Sequence, residues 1–220
     1  MPGLDLSRYQ YAALIFDCDG TLVDSASLHF RALRDALRAQ GLELGQEWYE
    51  QRLGLSRRAL FQQFEQCFGA KIDVASASEL SDRIYASISH ELAEIPLIAS
   101  IAREHHGKVP MAVASGGERF VLATSLRAAG LVDLFDHVVS ISDVGQGKPS
   151  PALFLEAARR LGHLPAECLV FDDTDEGIEA ARRAGMPCID VRKYTGTPIV
   201  TKDPGADGAV DPSGKGVTGN

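Results

Sequence analysis

Two aspartates separated by one residue, Asp17 and Asp19, are the first groups in this chain whose type and spacing suggest chemistry. They follow the apolar run Ala12–Phe16 and lead into Gly20 and Thr21. A carboxylate can attack phosphorus and carry the phosphoryl group as an acyl phosphate. A second carboxylate nearby can give a proton to the leaving group and later take one from water. Two residues apart in an extended strand, the pair would face one side. Gly20 permits a turn that brings the backbone close to a bound phosphate. Further along, Ser115-Gly116-Gly117 follows the apolar run Met111–Ala114, Lys148-Pro149 lies a short loop beyond Val138–Ile141, and Asp172-Asp173 follows Leu169–Phe171.

Carboxylates and a phosphate dianion repel each other. Two like unit charges 4 Å apart cost about 4 kcal/mol at an effective dielectric near 20. A hard, oxygen-seeking cation resolves the conflict, and Mg²⁺ commonly binds one or two carboxylates together with substrate phosphate. Lys148 offers a further positive charge, while the Ser115 hydroxyl and the Gly116 amide can donate to phosphoryl oxygens. The set covers nucleophile, acid/base, metal and charge stabilisation.

Each feature has an ordinary reading when it stands alone. A single D-x-D is usually a turn, and here Gly20 comes too early for a calcium-binding EF-hand loop. Asp172, Asp173, Asp175 and Glu176 would favour any helix N-terminus. A lone lysine is a surface charge, and Ser-Gly-Gly is a common turn. Their succession at four strand ends favours one shared site, because ligands of open parallel sheets bind outside the carboxyl ends of the strands.

The elements that must position these residues are legible as short apolar runs: Ala12–Phe16, Met111–Ala114, Val138–Ile141, Leu169–Phe171 and Ile189–Val191. Runs without charge suit strands buried on both faces of a parallel sheet. Helical patterns separate them. Leu122, Leu126 and Ala129 precede a stop at Gly130; Ser150 reads as N-cap and Pro151 as first helical residue of a segment closed by Gly162; Ile178 and Ala181 precede Gly185 and Pro187. The alternation predicts an α/β fold with a doubly wound parallel sheet. Between Asp24 and about Ala93 only helical faces recur: Leu28, Ala32, Leu33, Ala36 and Leu37; Leu60, Phe61, Phe64 and Phe68; Leu80, Ile84, Ile88 and Leu92. Residues 1–24 and 94–195 are thus expected to form the core, 25–93 a helical cap inserted after the first strand, and 196–220 a loop or disordered tail.

The chain has 220 residues, 45% of them hydrophobic, enough for one α/β domain with an insert. A net charge of −8 argues against a general nucleic-acid surface. Cys18, Cys67, Cys168 and Cys188 form no C-x-x-C pair, and free thiols suit a reducing cytosol. The N-terminus lacks the pattern of a signal peptide, and no apolar run is long enough for a membrane span. A cytoplasmic monomer acting on a small phosphorylated metabolite is the expectation, with no nucleic-acid or membrane partner.

These residues resemble the haloacid dehalogenase (HAD) superfamily over nearly all of 11–193. FDCDGTLVDS is similar to its first motif, Ser115 stands at the second, GKPSPALF at the third, and VFDDTDEGIEAARRAGM at the fourth. The resemblance implies a HAD-like Rossmannoid core with Asp17 as nucleophile and Asp19 as general acid/base. It implies Mg²⁺ held by the Asp17 carboxylate, the Asp19 backbone carbonyl and Asp173. Asp172 stands where relatives usually have Glu, as a direct ligand or an outer partner. Lys148 and Ser115 would hold the phosphoryl group.

The helical insert resembles the cap of the branch that includes β-phosphoglucomutase and small sugar-phosphate phosphatases. Gly54-Leu55-Ser56-Arg57 is similar to a mutase loop whose Arg helps bind the non-reacting phosphate, and His29 lies near a mutase His that assists proton transfer. The mutase has Ser-Lys where this chain has Gly117-Glu118, which exchanges a cation for an anion. Bacterial fructose-1-phosphate and 6-phosphogluconate phosphatases are more similar; they share the His, the Glu at 118 and segments like Pro110–Val113 and Ala181–Arg192. The implied activity is Mg²⁺-dependent hydrolysis of a small sugar or polyol monophosphate through an aspartyl phosphate. The alternatives are a phosphosugar mutase and, below it, a non-catalytic metabolite-binding member. A metal-free dehalogenase would use one Asp and have no need of Asp19 or the Asp172-Asp173 pair.

Overall fold

A computed structural model of the chain describes residues 4–196. In chain order it runs through β1 (Ala13–Phe16), β2 (Val23–Asp24), α1 (Ala26–Arg38), α2 (Gln46–Glu50), α3 (Arg57–Phe68), α4 (Val74–Ile88) and β3 (Ala93–Glu94). It continues through α5 (Pro96–His105), β4 (Met111–Ala114), α6 (Arg119–Ala128), β5 (His137–Val139), α7 (Ile141–Val144) and α8 (Ala152–Leu161). The last elements are β6 (Cys168–Asp172), α9 (Asp175–Ala184), β7 (Cys188–Asp190) and α10 (Arg192–Thr195). Five strands form one parallel sheet in the order β5-β4-β1-β6-β7. The chain starts at the centre, builds one edge and then the other, so the strand order reverses at β1. That reversal point is where such sheets bind ligands.

The sheet is wound on both faces, as its apolar runs require. Leu14, Phe16, Met111, Val113, Leu169 and Phe171 point into a layer with Ile98 and Ala102 of α5 and Leu122 and Leu126 of α6. Their neighbours Ala13, Ile15, Ala112, Ala114 and Val170 point the other way, onto Leu153, Phe154, Ala157 and Ala158 of α8 and Ala180 and Ala181 of α9. Period-two alternation puts successive side chains into opposite layers, and both layers are apolar. The Phe16 and Phe171 rings stack at 4.6 Å across the central pair of strands.

The described chain divides into two compact units: residues up to Leu28 together with those from Ala86 on, and His29–Tyr85. The second unit has its own core of Leu33, Leu37, Leu44, Tyr49, Leu60, Phe61, Phe64, Ile72 and Ala77. Ser56 caps α3 by accepting from the Ala59 amide, and Gly69 at φ 62° ends it. No helix among the described residues is long and apolar enough to cross a membrane.

Several local expectations are corrected. The third run stops at Val139, because the Asp143 carboxylate accepts from both the amide and the hydroxyl of Ser140 and starts α7 at Ile141. Helix α8 begins at Ala152 with Pro151 as cap; Ser150 Oγ still accepts from the Ala152 amide at 3.4 Å. The face Leu80, Ile84, Ile88 and Leu92 is only half-buried, while α4 buries Ala77, Ser81 and Tyr85 one position round. Ala77 and Ser81 are small, and a search for large apolar residues overlooks them. The short antiparallel ribbon of β2 with β3, where the chain leaves and rejoins the sheet unit, has no counterpart in the apolar pattern, nor has α10. The tail beyond Gly196 lies outside the described residues.

Phe16→Ala removes one half of the buried stack and should destabilise the protein by about 3–5 kcal/mol. Urea unfolding should show this as a lower midpoint at an unchanged slope.

Candidate active site

The site is assembled at the carboxyl ends of β1, β4 and β6. Asp17 follows β1 and is held in register by its amide, which donates to the Phe171 carbonyl at 2.9 Å. Beyond it the chain folds into a tight turn: the Thr21, Leu22 and Val23 amides all donate to the Cys18 carbonyl. Gly20 closes this turn at φ 81°, and a Cβ there would run into the Asp173 carboxylate. Its amide donates to the Val23 carbonyl at 2.8 Å, so what Gly20 contributes here is the turn and the space. Asp19 Oδ1 accepts from Ser25 Oγ at 2.6 Å.

Lys148 arrives through a clamped loop. The Asp143 carboxylate, already bonded to Ser140, also pairs with Arg119 at 2.5 Å and Arg160 at 2.7 Å. Burial works against its charge, but Arg160, Ser140 and Arg119 together hold it well below the usual carboxylate range. From this anchor the chain turns at Gly145 and again at Gly147–Ser150. The Lys148 ammonium then lies 2.5 Å from Asp17 Oδ1, 2.6 Å from Asp172 Oδ2 and 5.0 Å from the Phe154 ring centre.

Asp172 ends β6 and is fully buried. Its Oδ1 accepts from the Thr174 amide at 2.9 Å and the Thr174 hydroxyl at 2.7 Å; its Oδ2 takes Lys148. Thr174 in turn caps α9 by accepting from the Gly177 amide. Gly177 is required here, since any Cβ would collide with Asp172. Asp173 Oδ1 accepts from Thr21 Oγ1 at 2.9 Å. Asp17, Asp172 and Asp173 each offer an oxygen within 4.8 Å of the others. Ser115 is buried beside β5, its amide on the Val139 carbonyl and its Oγ accepting from the Gly117 amide at 3.0 Å; Gly116 is exposed.

A sequence profile of haloacid dehalogenase-like hydrolases matches residues 11–185, which span this whole arrangement. The chain belongs to that family. Among curated proteins it is similar to the fructose-1-phosphate phosphatase YqaB of Escherichia coli (strain K12), at 36% identity over 83% of this chain and 97% of the relative. It is also similar to the β-phosphoglucomutase of Bacillus subtilis (strain 168), at 27% identity over 87% of each chain. Among solved structures, CbbY from Rhodobacter sphaeroides in complex with phosphate superposes with a TM-score of 0.75 at 25% identity, over 81% of this chain and 84% of that one.

The sequence brought Asp17, Asp172, Asp173 and Lys148 to attention, and the structure gathers these four. His29 and Arg57 belong to the second unit. There His29 stacks on Tyr85 at 4.5 Å, and Arg57 pairs with Asp82 at 2.5 Å. Sequence reasoning missed the hydroxyls of Thr21, Ser25 and Thr174, each of which fixes a carboxylate. A Thr two residues after an Asp is a known side-chain-to-backbone turn and could have pointed to Thr174. Thr21 could not be found that way, since its partner is 152 residues away.

The electrostatics of this hydrolase's cluster are out of balance. Burial pushes Asp17 well above the usual carboxylate range; Asp172, Asp173 and Asp19 add to the rise and Lys148 opposes it. Asp173 is pushed up to about 7, first by burial and then by Asp172. Burial would lower Lys148, yet Asp17 and Asp172 outweigh it and raise the ammonium above its ordinary value. Three carboxylates against one ammonium leave a deficit of positive charge that a divalent cation would fill. The donors are all hard oxygens, the set that suits Mg²⁺ rather than a thiol-seeking metal.

With its pKa raised in the fold, Asp173 keeps its proton where the unfolded chain, at 3.8, has released it. The stability from that protonated form is complete below the unfolded value and is lost as pH rises through about 7. In chelator, the wild-type protein should therefore melt roughly 4–8 °C lower near pH 8 than near pH 5, beyond any shift seen in Asp173→Asn. Mg²⁺ should restore the wild-type melting temperature near pH 8 and leave Asp173→Asn almost unmoved. Equal pH dependence in the two proteins would show that Asp173 carries no such strain.

Proposed function

We propose that this hydrolase removes the phosphoryl group from a small sugar or polyol monophosphate by way of a phospho-aspartate on Asp17. Its class, a phosphoric monoester hydrolase, follows from the family match together with the phosphatase-named relatives. The observation that carries the finer reading is the buried Asp17 carboxylate, oriented by Lys148, with a second carboxylate two residues on that is oriented by Ser25.

Asp17 forms a bond from its carboxylate oxygen to phosphorus while the bond from phosphorus to the alcohol oxygen breaks. Asp19 gives its proton to that departing oxygen. In the second half Asp19 takes a proton from water, the water oxygen bonds to phosphorus, and the bond to Asp17 breaks, which releases inorganic phosphate and restores both aspartates. Lys148 and the Ser115 hydroxyl hold the phosphoryl oxygens, with the Gly116 amide beside them. Mg²⁺ would be held by the Asp17 carboxylate, the Asp19 carbonyl and Asp173, with Asp172 alongside, and would supply the positive charge the cluster lacks. His29 and Arg57 are assigned to the non-reacting part of the substrate on the resemblance alone. We read the enzyme as a cytoplasmic monomer whose cysteines stay free thiols.

A mutase must hold a second phosphate as well. Glu118 argues against that role: it is exposed at the N-terminus of α6, and Ser142 Oγ donates to its Oε2 at 2.7 Å. It stands where the mutase has a lysine, so a second phosphate would lack that cation and meet an anion instead.

Wild-type protein with Mg²⁺ should release phosphate from members of a sugar and polyol phosphate panel, and EDTA should abolish this. Asp17→Asn should fall to background, and Asp19→Asn by about 10²–10⁴-fold. Near-normal turnover of Asp17→Asn would remove the nucleophile assignment. The mutase alternative is decided separately, with β-glucose 1-phosphate and glucose 1,6-bisphosphate, by following glucose 6-phosphate and free phosphate together. Fast isomerisation with negligible phosphate release would replace the phosphatase reading.

A further inference from the structure

Two glycines in succession follow Ser115, and neither has a positive φ. The backbone at Gly116 and Gly117 is open to any residue, so glycine is not there for its conformational freedom. Where an added Cβ meets nothing, as at Gly116, Ala usually stabilises through the unfolded chain. At Gly117 the reason for glycine is spatial.

Gly117 is held firmly. Its amide donates to Ser115 Oγ at 3.0 Å and its carbonyl accepts from the Ile141 amide at 3.3 Å. A Cβ built on it would lie 3.3 Å from Ser115 Oγ and 3.8 Å from Asp19 Oδ2. A Cβ on Gly116 would meet no atom within 4 Å. The bare position at 117 thus sits between the hydroxyl assigned to the phosphoryl group and the carboxylate assigned to the leaving oxygen.

A general acid must come within about 2.6–3.2 Å of the oxygen it protonates. In the approach proposed here the carbon bearing that oxygen lies beside Gly117, where a Cβ would stand 3.8 Å from Asp19 Oδ2. A side chain at 117 would occupy the space of a substituent on that carbon or on the next one. An unbranched primary alcohol has no such substituent and would lose little.

We propose that Gly117 is a specificity-determining position. Its missing side chain forms a slot for the leaving alcohol and admits alcohols branched at, or next to, the carbon that bears oxygen. This rests on the phosphatase reading above and narrows its substrate class to esters branched near the ester bond.

The test compares wild type, Gly117→Ala and Gly117→Val on ethylene glycol monophosphate, which is unbranched, and on glycerol 2-phosphate and a hexose 1-phosphate, which are branched. Competitive inhibition by inorganic phosphate is measured alongside. Gly117→Ala should lower kcat/KM for the branched esters about tenfold or more, and Gly117→Val further. The unbranched ester and the phosphate inhibition constant should stay within about twofold of wild type in Gly117→Ala. Equal losses on all three esters, a weakened phosphate inhibition that accounts for the loss, or no loss at all would each overturn the slot. If wild type hydrolyses none of the esters in Mg²⁺, the phosphatase reading itself falls and takes the slot with it.

Discussion

A lysine ammonium buried between two carboxylates is the contact on which the rest of this structure depends. The Lys148 side chain is only 10% exposed, and it reaches Asp17 from 131 residues away and Asp172 from 24. Removing one partner from a buried pair typically costs about 3–5 kcal/mol, because it leaves a charge without compensation. Without Lys148, the ends of β1 and β6 would each present a buried anion to the other. With it they come together, but Asp173 adds another anion and the balance stays negative. The site is thereby left in a state that favours a bound cation.

The scaffold around that contact is built to tolerate it. The sheet is buried on both faces, and hydroxyls and amides satisfy the carboxylates at its carboxyl edge. Thr174 satisfies one oxygen of Asp172, Thr21 one of Asp173 and Ser25 one of Asp19. Gly20 and Gly177 let backbone pass directly against Asp173 and Asp172 where a methyl group would collide. The Asp143 clamp on α7 sets the loop that delivers Lys148. A shift in any of these partners moves one of the clustered carboxylates or Lys148.

In the function proposed above, chemistry and selectivity are separable. The charged cluster is the part assigned to the phosphoryl group, and it contains nothing that distinguishes one alcohol from another. Gly117 is the position assigned to the alcohol. The relatives illustrate the point, since a sugar phosphatase and a phosphosugar mutase both align with this chain along most of its length.

Much of this was readable in the sequence. Parallel strands buried on both faces must be continuous apolar runs, so Met111–Ala114 was found to the residue and the other four runs to within one or two. Gly130, Gly162 and Gly185 marked helix ends because each takes up a positive φ just past one. The polar residue after each run had to stand at a strand end, which made Asp17, Ser115, Lys148 and Asp172-Asp173 a candidate site before any contact was known. Only the tertiary structure decided the rest. The β2–β3 ribbon is two residues per strand and exists only through its pairing. The buried side of α4 depends on what Ala77 and Ser81 approach, which periodicity in large apolar residues does not encode. Thr21 and Asp173 lie 152 residues apart and Asp17 and Lys148 lie 131 apart, and no local spacing announces either pair. The strands were legible because burial is a property of each segment; the charge balance was not, because it is a property of segments brought together.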